Sequence, residues 1–82
     1  MLNCYSVYVL ISLKDNATYV GMALNTANRL KEHNSGKTKS TKGFKPWKLI
    51  YKEETINRIE ARKREIYLKS GVGKEFLKSL VP

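Results

Sequence analysis

The sequence predicts a small domain of the α/β or α+β class, in which helices pack on a three-stranded, at least partly antiparallel sheet. Strand-like and helix-like segments follow one another in the order strand, strand, helix, strand, helix, helix. The first two strands are separated by a short turn, which joins antiparallel neighbours but is too short for a parallel crossover. The length of 82 residues suffices for one modest core, so we expect a single domain over residues 1–82.

The predicted sheet begins with a hairpin. Residues 5–12 are rich in β-branched and aromatic side chains and almost unbroken in apolarity, which is typical of a strand buried on both faces. Asp15 and Asn16 tolerate a left-handed backbone and predict a turn, after which residues 18–22 return as the second strand. The third strand is predicted over residues 47–51, where aromatic and apolar side chains alternate with lysine.

The register of this hairpin decides which side chains share a face. A two-residue loop would place Ser12 opposite Tyr19 and Gly21 opposite Leu10. Because alternate side chains of a strand point the same way, Tyr8 and Tyr19 would then project from one face of the sheet. A glycine on that face indicates a close approach by backbone or ligand.

The first helix is predicted between the second and third strands. Asn25 or Thr26 provides its N-terminal cap, and the helix should run to about Asn34, because Ser35 and Gly36 end it. Its apolar stripe would consist of Leu24, Ala27 and Leu30.

The longest helix should run from Thr55 to about Ser70, where Gly71 stops it, and a last helix should span residues 73–80. Glu60 falls within the apolar stripe of this longest helix, where an unpaired carboxylate would be costly to bury. This carboxylate either pairs with a basic residue one turn away or holds a hard cation such as Mg²⁺ at the edge of a cleft. The residues of the predicted inward stripe are Ile56, Ile59, Lys63, Ile66 and Tyr67.

The chain is strongly basic, with 16 Lys and Arg against 7 Asp and Glu and a net charge of +9. Such a chain is attracted to polyanions such as DNA, RNA or an anionic membrane surface. The single cysteine, Cys4, excludes an intrachain disulfide and fits a reducing, cytoplasmic compartment. The apolar run over residues 7–13 is too short for a membrane span and lacks the flanks of a signal peptide, so we expect no membrane partner.

Four further residues are of types that phosphodiester chemistry uses. Arg29 and His33 lie one helical turn apart, where a guanidinium can fork onto a phosphate and an imidazole can accept a proton or donate a hydrogen bond. Tyr8 and Tyr19 would lie among positive charges, which lower the phenol pKa from its ordinary value of about 10. Each pair alone is more typical of ordinary solvated or core positions than of a functional site.

In their order and spacing these residues resemble the GIY-YIG nuclease superfamily. Ser6-Val7-Tyr8 stands at the place of the first family tripeptide, and Tyr19-Val20-Gly21 at the place of the second. Arg29 and His33 have the family spacing in the helix that follows, and Glu60 resembles the metal-binding glutamate. The small stand-alone bacterial members carry segments similar to Ser40-Thr41-Lys42, Pro46-Trp47 and Leu68-Lys69-Ser70-Gly71.

The resemblance implies hydrolysis of DNA phosphodiester bonds by water with one divalent cation, Mg²⁺ or Mn²⁺. It implies that Glu60 holds the metal, that Tyr8 or Tyr19 activates or positions the water, that Arg29 steadies the phosphate, and that His33 assists proton transfer. Basic side chains would grip the nucleic-acid backbone without reading its sequence. These are Lys37, Lys39, Lys42, Lys45, Lys48 and Lys69.

Two other functions explain the charge equally well. One is a nucleic-acid-binding module of the same fold with little or no cleavage activity, and the other is an RNA-binding or ribosome-associated protein. Trp47 or Phe44 would stack on an unpaired base, although packing in the core is the more ordinary role for Trp47. The preferred substrate and the oligomeric state stay open at this stage.

Overall fold

The computed structural model describes residues 4–80, so residues 1–3 and 81–82 of the predicted single domain lie outside the described residues. A three-stranded antiparallel sheet with three helices forms, and the predicted fold class and element order are confirmed. The elements are β1 (Tyr5–Ser12), β2 (Thr18–Ala23), α1 (Thr26–Ser35), a 3₁₀ turn (Lys42–Phe44), β3 (Trp47–Thr55), α2 (Arg58–Lys69) and α3 (Gly71–Leu80).

The strand order is β2-β1-β3, with β1 in the centre and antiparallel to both neighbours. The predicted hairpin register is wrong by two residues, because Tyr19 lies opposite Leu10 and Gly21 opposite Tyr8. Four residues, 13–16, separate Ser12 from Ala17, whose carbonyl accepts from the Ser12 amide at 2.8 Å. Among them, Asn16 has a φ of 64° and donates its amide to the Ser12 carbonyl at 2.9 Å. A shift of two residues leaves every side chain on the same face of the sheet, so Tyr8 and Tyr19 still project from one face.

Helices cover both faces of the sheet. On one face, Val7, Val9 and Val20 pack against α2 and α3. On the other face, which faces α1, Tyr8 and Leu10 are buried in a second apolar cluster. The central strand is therefore buried on both sides, as its unbroken apolarity predicted.

The predicted bounds of α1 are nearly correct, but its predicted apolar stripe is wrong. Asn25 caps the helix by accepting a hydrogen bond from the Asn28 amide at 3.0 Å, and Gly36 ends it with a φ of 85°. Leu24 and Ala27 of the stripe are exposed, and Leu30 is half-buried. The buried residues of α1 are Thr26 and His33.

The predicted inward stripe of the long helix is also wrong. Its isoleucines and Tyr67 are exposed, and α2 instead turns Ala61, Glu65 and Leu68 inward. The predicted and the observed inward residues both recur at helical spacing. The set with Ala61 faces the sheet, because the small alanine side chain lets α2 approach the strands closely. The helix begins at Arg58 rather than Thr55 because β3 continues to Thr55. The last helix begins at Gly71, two residues earlier than predicted.

Candidate active site

The side chain of Tyr8 lies across the neighbouring strand at Gly21. A Cβ atom on Gly21 would stand 2.5 Å from Tyr8 Oη and 3.0 Å from Tyr19 Cε2. Separations below 3.0 Å do not occur between packed atoms, so a side chain at this position would displace Tyr8. The close approach expected at this glycine is thus made by the tyrosine of the adjacent strand, and it directs the phenol toward the edge of the sheet formed by β2.

Tyr8 and Tyr19 meet His33, and we call these three residues the tyrosine–histidine cluster. His33 is fully buried, and its Nε2 atom lies 3.1 Å from Tyr8 Oη. The ring centroids of Tyr19 and His33 are 4.8 Å apart. On the other side of the imidazole, Nδ1 lies 2.8 Å from Thr41 Oγ1. Both ring nitrogens therefore have partners, and α1 supplies the histidine at its last turn.

The electrostatics of the cluster differ from the expectation for a tyrosine among positive charges. Burial raises the pKa of Tyr8, and the opposing effect of the nearby Arg29 guanidinium is smaller. The expected lowering of the phenol pKa is therefore wrong for Tyr8, because desolvation of the phenolate outweighs the attraction of one cation. Burial also lowers the pKa of His33, with a further contribution from the charge of Arg29. The imidazole is consequently neutral near pH 7.

Arg29 lies near the cluster and is partly exposed. Its pKa is raised, first by hydrogen bonding with Tyr8, and it also forms an ion pair with Glu32 in the same helix. About a third of its side chain is exposed, so a phosphate oxygen can reach the guanidinium from outside. The structure thus brings together four of the five predicted catalytic residues.

Glu60 is the fifth, and no described contact joins it to the tyrosine–histidine cluster. It lies in the first turn of α2, which packs on the opposite face of the sheet. Its amide donates to the side chain of the cap residue Asn57 at 2.9 Å, and its carboxylate pairs with Lys63 at 3.2 Å. With 45% of its side chain exposed, this residue resembles an ordinary helix-capping glutamate.

Glu65 is the carboxylate that the sequence reasoning missed. It lies on the inward face of α2 and is only 7% exposed, and it pairs with Arg62 at 2.8 Å and Lys69 at 3.1 Å. Its position four residues after Ala61 and three before Leu68 was the available signal. Glu65 lines a groove of about 820 Å³ together with Tyr5, Met22, Arg58, Ile59 and Arg62.

The groove of Glu65 and the tyrosine–histidine cluster approach the same edge of the sheet. Tyr8 crosses β2 at Gly21 on one face, and the groove includes Met22, which packs on the opposite face. Within residues 4–80, no group of three or more His, Cys, Asp or Glu side chains is arranged to hold a metal ion.

The predicted nucleic-acid-binding lysines are all exposed. Five of them flank or lie within the loop between α1 and β3, which is anchored beside the cluster because Thr41 in that loop contacts His33. The sixth, Lys69, is engaged with Glu65. Trp47 is buried, as its expected core role requires, whereas Phe44 is 40% exposed. The five loop lysines are Lys37, Lys39, Lys42, Lys45 and Lys48.

Comparison with known proteins identifies the family of this chain. The family model described as the GIY-YIG catalytic domain matches residues 4–77. The chain belongs to the GIY-YIG family. This family of nuclease domains implies a nucleic-acid substrate and a divalent metal ion. Among the described helices, none has the length and apolarity needed to cross a membrane.

Bacterial relatives of this GIY-YIG domain are UPF0213 proteins. One from Clostridium perfringens is 44% identical over 64 residues, which cover 77% of this chain and 68% of the relative. Another from Staphylococcus haemolyticus is 36% identical over 75 residues, covering 90% of each chain. The solution NMR structure of a UPF0213 protein from Bacillus halodurans has a TM-score of 0.55 and 35% identity, and covers 94% of this chain and 84% of that one.

Proposed function

We propose that this GIY-YIG domain is an endonuclease that hydrolyses DNA phosphodiester bonds with one divalent cation, Mg²⁺ or Mn²⁺. The observation that carries the proposal is the hydrogen bond between Tyr8 and a buried, neutral His33 beside a partly exposed Arg29. A proton acceptor and a phosphate-binding cation at one place are what phosphodiester hydrolysis requires.

In the proposed reaction, Tyr8 relays a proton rather than acting as a preformed phenolate. As water attacks the phosphorus atom, its proton passes to Tyr8 Oη while the phenol proton passes to His33 Nε2. This route suits a phenol whose pKa is raised by burial. Arg29 binds the phosphate oxygens as their negative charge grows, and Tyr19 packs against the imidazole and holds its ring in place.

Glu65, rather than Glu60, is the carboxylate that we propose for the metal. A hard cation such as Mg²⁺ keeps several waters and accepts few protein ligands, so one carboxylate in an open groove fits it. When bound, the cation would neutralise charge on the phosphate and the leaving oxygen. The loop lysines and Lys69 would hold the DNA backbone on either side.

A binding module with little or no cleavage activity is the second candidate. The observation that favours it is that Arg62 and Lys69 already neutralise Glu65, which reduces the attraction of that carboxylate for a cation. Both candidates predict DNA binding, so cleavage is the property that separates them.

Nicking of plasmid and branched DNA with Mg²⁺ or Mn²⁺ tests the proposal, with RNA binding measured in parallel. Tyr8→Phe should slow cleavage by about 10²-fold or more, the usual contribution of a proton-transferring group. Tyr19→Phe retains the packed ring and should slow cleavage less. DNA binding should change little in either variant, because neither substitution removes a positive charge. A Tyr8→Phe protein that cuts at the wild-type rate contradicts the relay.

The two glutamates provide a matched pair for the metal assignment. Glu65→Gln should abolish metal-dependent cleavage and retain DNA binding, while Glu60→Gln should leave cleavage nearly unchanged. The reverse pattern would restore Glu60 as the metal ligand. If the folded wild-type protein binds DNA but does not cut it with either metal, the binding module is the correct function.

A further inference from the structure

A chain of hydrogen bonds runs from Tyr8 through His33 to Thr41 and the Thr38 carbonyl. The positive charge of Arg29 lies near its Tyr8 end. At the other end, the Thr41 hydroxyl donates to the backbone carbonyl of Thr38 at 3.3 Å, and a carbonyl can only accept. Two contacts of 3.1 Å and 2.8 Å join the imidazole to the hydroxyls of Tyr8 and Thr41.

We propose that Thr41 is a positioning residue that holds His33 in the tautomer protonated at Nδ1, so that Nε2 presents its lone pair to the Tyr8 hydroxyl. In this arrangement the Thr41 hydroxyl donates its one proton to the Thr38 carbonyl, 3.3 Å away, and accepts a hydrogen bond from the imidazole at 2.8 Å. A neutral imidazole carries one N–H, which is therefore at Nδ1. The inference rests on the proposed function, in which the proton of Tyr8 moves to His33.

Thr41 acts on the reaction through His33, because its hydroxyl contacts only His33 Nδ1 and the Thr38 carbonyl among the described residues. Its backbone is held independently of its hydroxyl. The Thr41 carbonyl accepts from Trp47 Nε1 at 3.0 Å, and its amide donates to the Thr38 carbonyl at 3.1 Å. Replacing the hydroxyl by a methyl group in Thr41→Val therefore leaves the loop anchored while it removes the acceptor for Nδ1–H. Thr41→Ser keeps that acceptor and serves as the matched control.

Nitrogen-15 NMR of the histidine ring tests the tautomer directly, because His33 is the only histidine of the chain. The wild-type spectrum at neutral pH should show the proton at Nδ1 and an unprotonated Nε2. Thr41→Ser should give the same pattern, and Thr41→Val should shift the ring toward a mixture or toward Nε2–H. A wild-type ring protonated at Nε2 overturns the proposal without any substitution, and so does a Thr41→Val ring identical to the wild type.

Cleavage kinetics provide the second measurement. Thr41→Val should lower kcat by about 10- to 100-fold, the usual cost of losing a group that orients a reactive histidine, while KM for DNA stays constant. Thr41→Ser should restore most of the rate. A tautomer shift without loss of kcat overturns the contribution of Thr41 to the reaction. If the wild-type protein does not cut DNA, the proposed function fails, and the NMR result alone still supports or overturns the positioning of His33.

Discussion

Replacing Gly21 by alanine should destabilise the fold and disrupt the tyrosine–histidine cluster together. The added Cβ would stand 2.5 Å from Tyr8 Oη and 2.7 Å from Tyr8 Cζ, about half an ångström or more inside normal contact distance. Tyr8 is buried and hydrogen-bonded to His33, so its ring has little room to move. Overpacking of this kind costs about 1–3 kcal/mol, and we expect the free energy of unfolding to fall by that amount.

Gly43→Ala is the matched control, because no heavy atom lies within 4 Å of a Cβ at that glycine. Its effect on the free energy of unfolding should stay within about 0.5 kcal/mol. Urea denaturation of both variants measures the difference through the transition midpoint, provided that the slope of the transition is unchanged. Gly21→Ala should also lose most cleavage activity, because the phenol must move away from His33.

A double-mutant cycle with Tyr8→Phe examines the cause. The phenylalanine ring lacks Oη, the atom closest to the new Cβ, but keeps the ring carbon at 2.7 Å, so the relief should be partial. The two substitutions should therefore be less destabilising together than the sum of their separate effects, by about 1 kcal/mol. Strict additivity, or a Gly21→Ala protein as stable as Gly43→Ala, would refute the steric reasoning.

Two further predictions concern pH and salt. Because the pKa of His33 is lowered in the fold, the unfolded chain binds the proton more readily, so stability should decline as pH falls below the unfolded value of about 6.5. Urea midpoints measured across pH should show this loss of stability in the wild type and not in His33→Gln. The charges of Arg29 and Glu32 are present in both proteins, so the difference reports on His33. Identical pH profiles for the two proteins would contradict the prediction. Replacing Lys39 and Lys42 by alanine should weaken DNA binding and lower the salt slope of log K by about 1 per lysine, measured by fluorescence anisotropy. An unchanged salt slope would mean that DNA does not contact Lys39 and Lys42.

The fold and the shared faces of the candidate site residues were predictable because they follow from the alternation of side chains in strands and their spacing in helices. Strand alternation placed Tyr8 and Tyr19 on one face, and the prediction survived a register error because the slip was two residues rather than one. The spacing of Arg29 and His33 similarly put both on one flank of α1. These inferences need only the local repeat of a strand or a helix, whereas the expectation that the two pairs form one site came from the resemblance to the GIY-YIG family.

The features that the sequence did not predict depend on contacts between residues that are far apart in the chain. The inward face of α2 was ambiguous because two stripes share its period, and only contact with the sheet selects the one that contains Glu65. Thr41 lies in a loop without periodicity, and its burial depends on His33 and Trp47, which are brought there by other elements. The raised pKa of Tyr8 has the same origin, since desolvation depends on how completely the fold covers a side chain.

Under the proposed function, the position of the substrate follows from the separation of Glu65 and the cluster by the sheet. Tyr8 crosses β2 at Gly21 on one face, and the groove of Glu65 reaches β2 at Met22 on the other. Gly21 and Met22 are consecutive, and β2 is an edge strand that pairs only with β1 within residues 4–80. A phosphate that approaches both groups must therefore lie along the outer edge of β2, where unpaired backbone N–H groups also favour an anion. Cleavage consequently depends on that edge staying open, because a strand added there would separate the carboxylate from the proton relay.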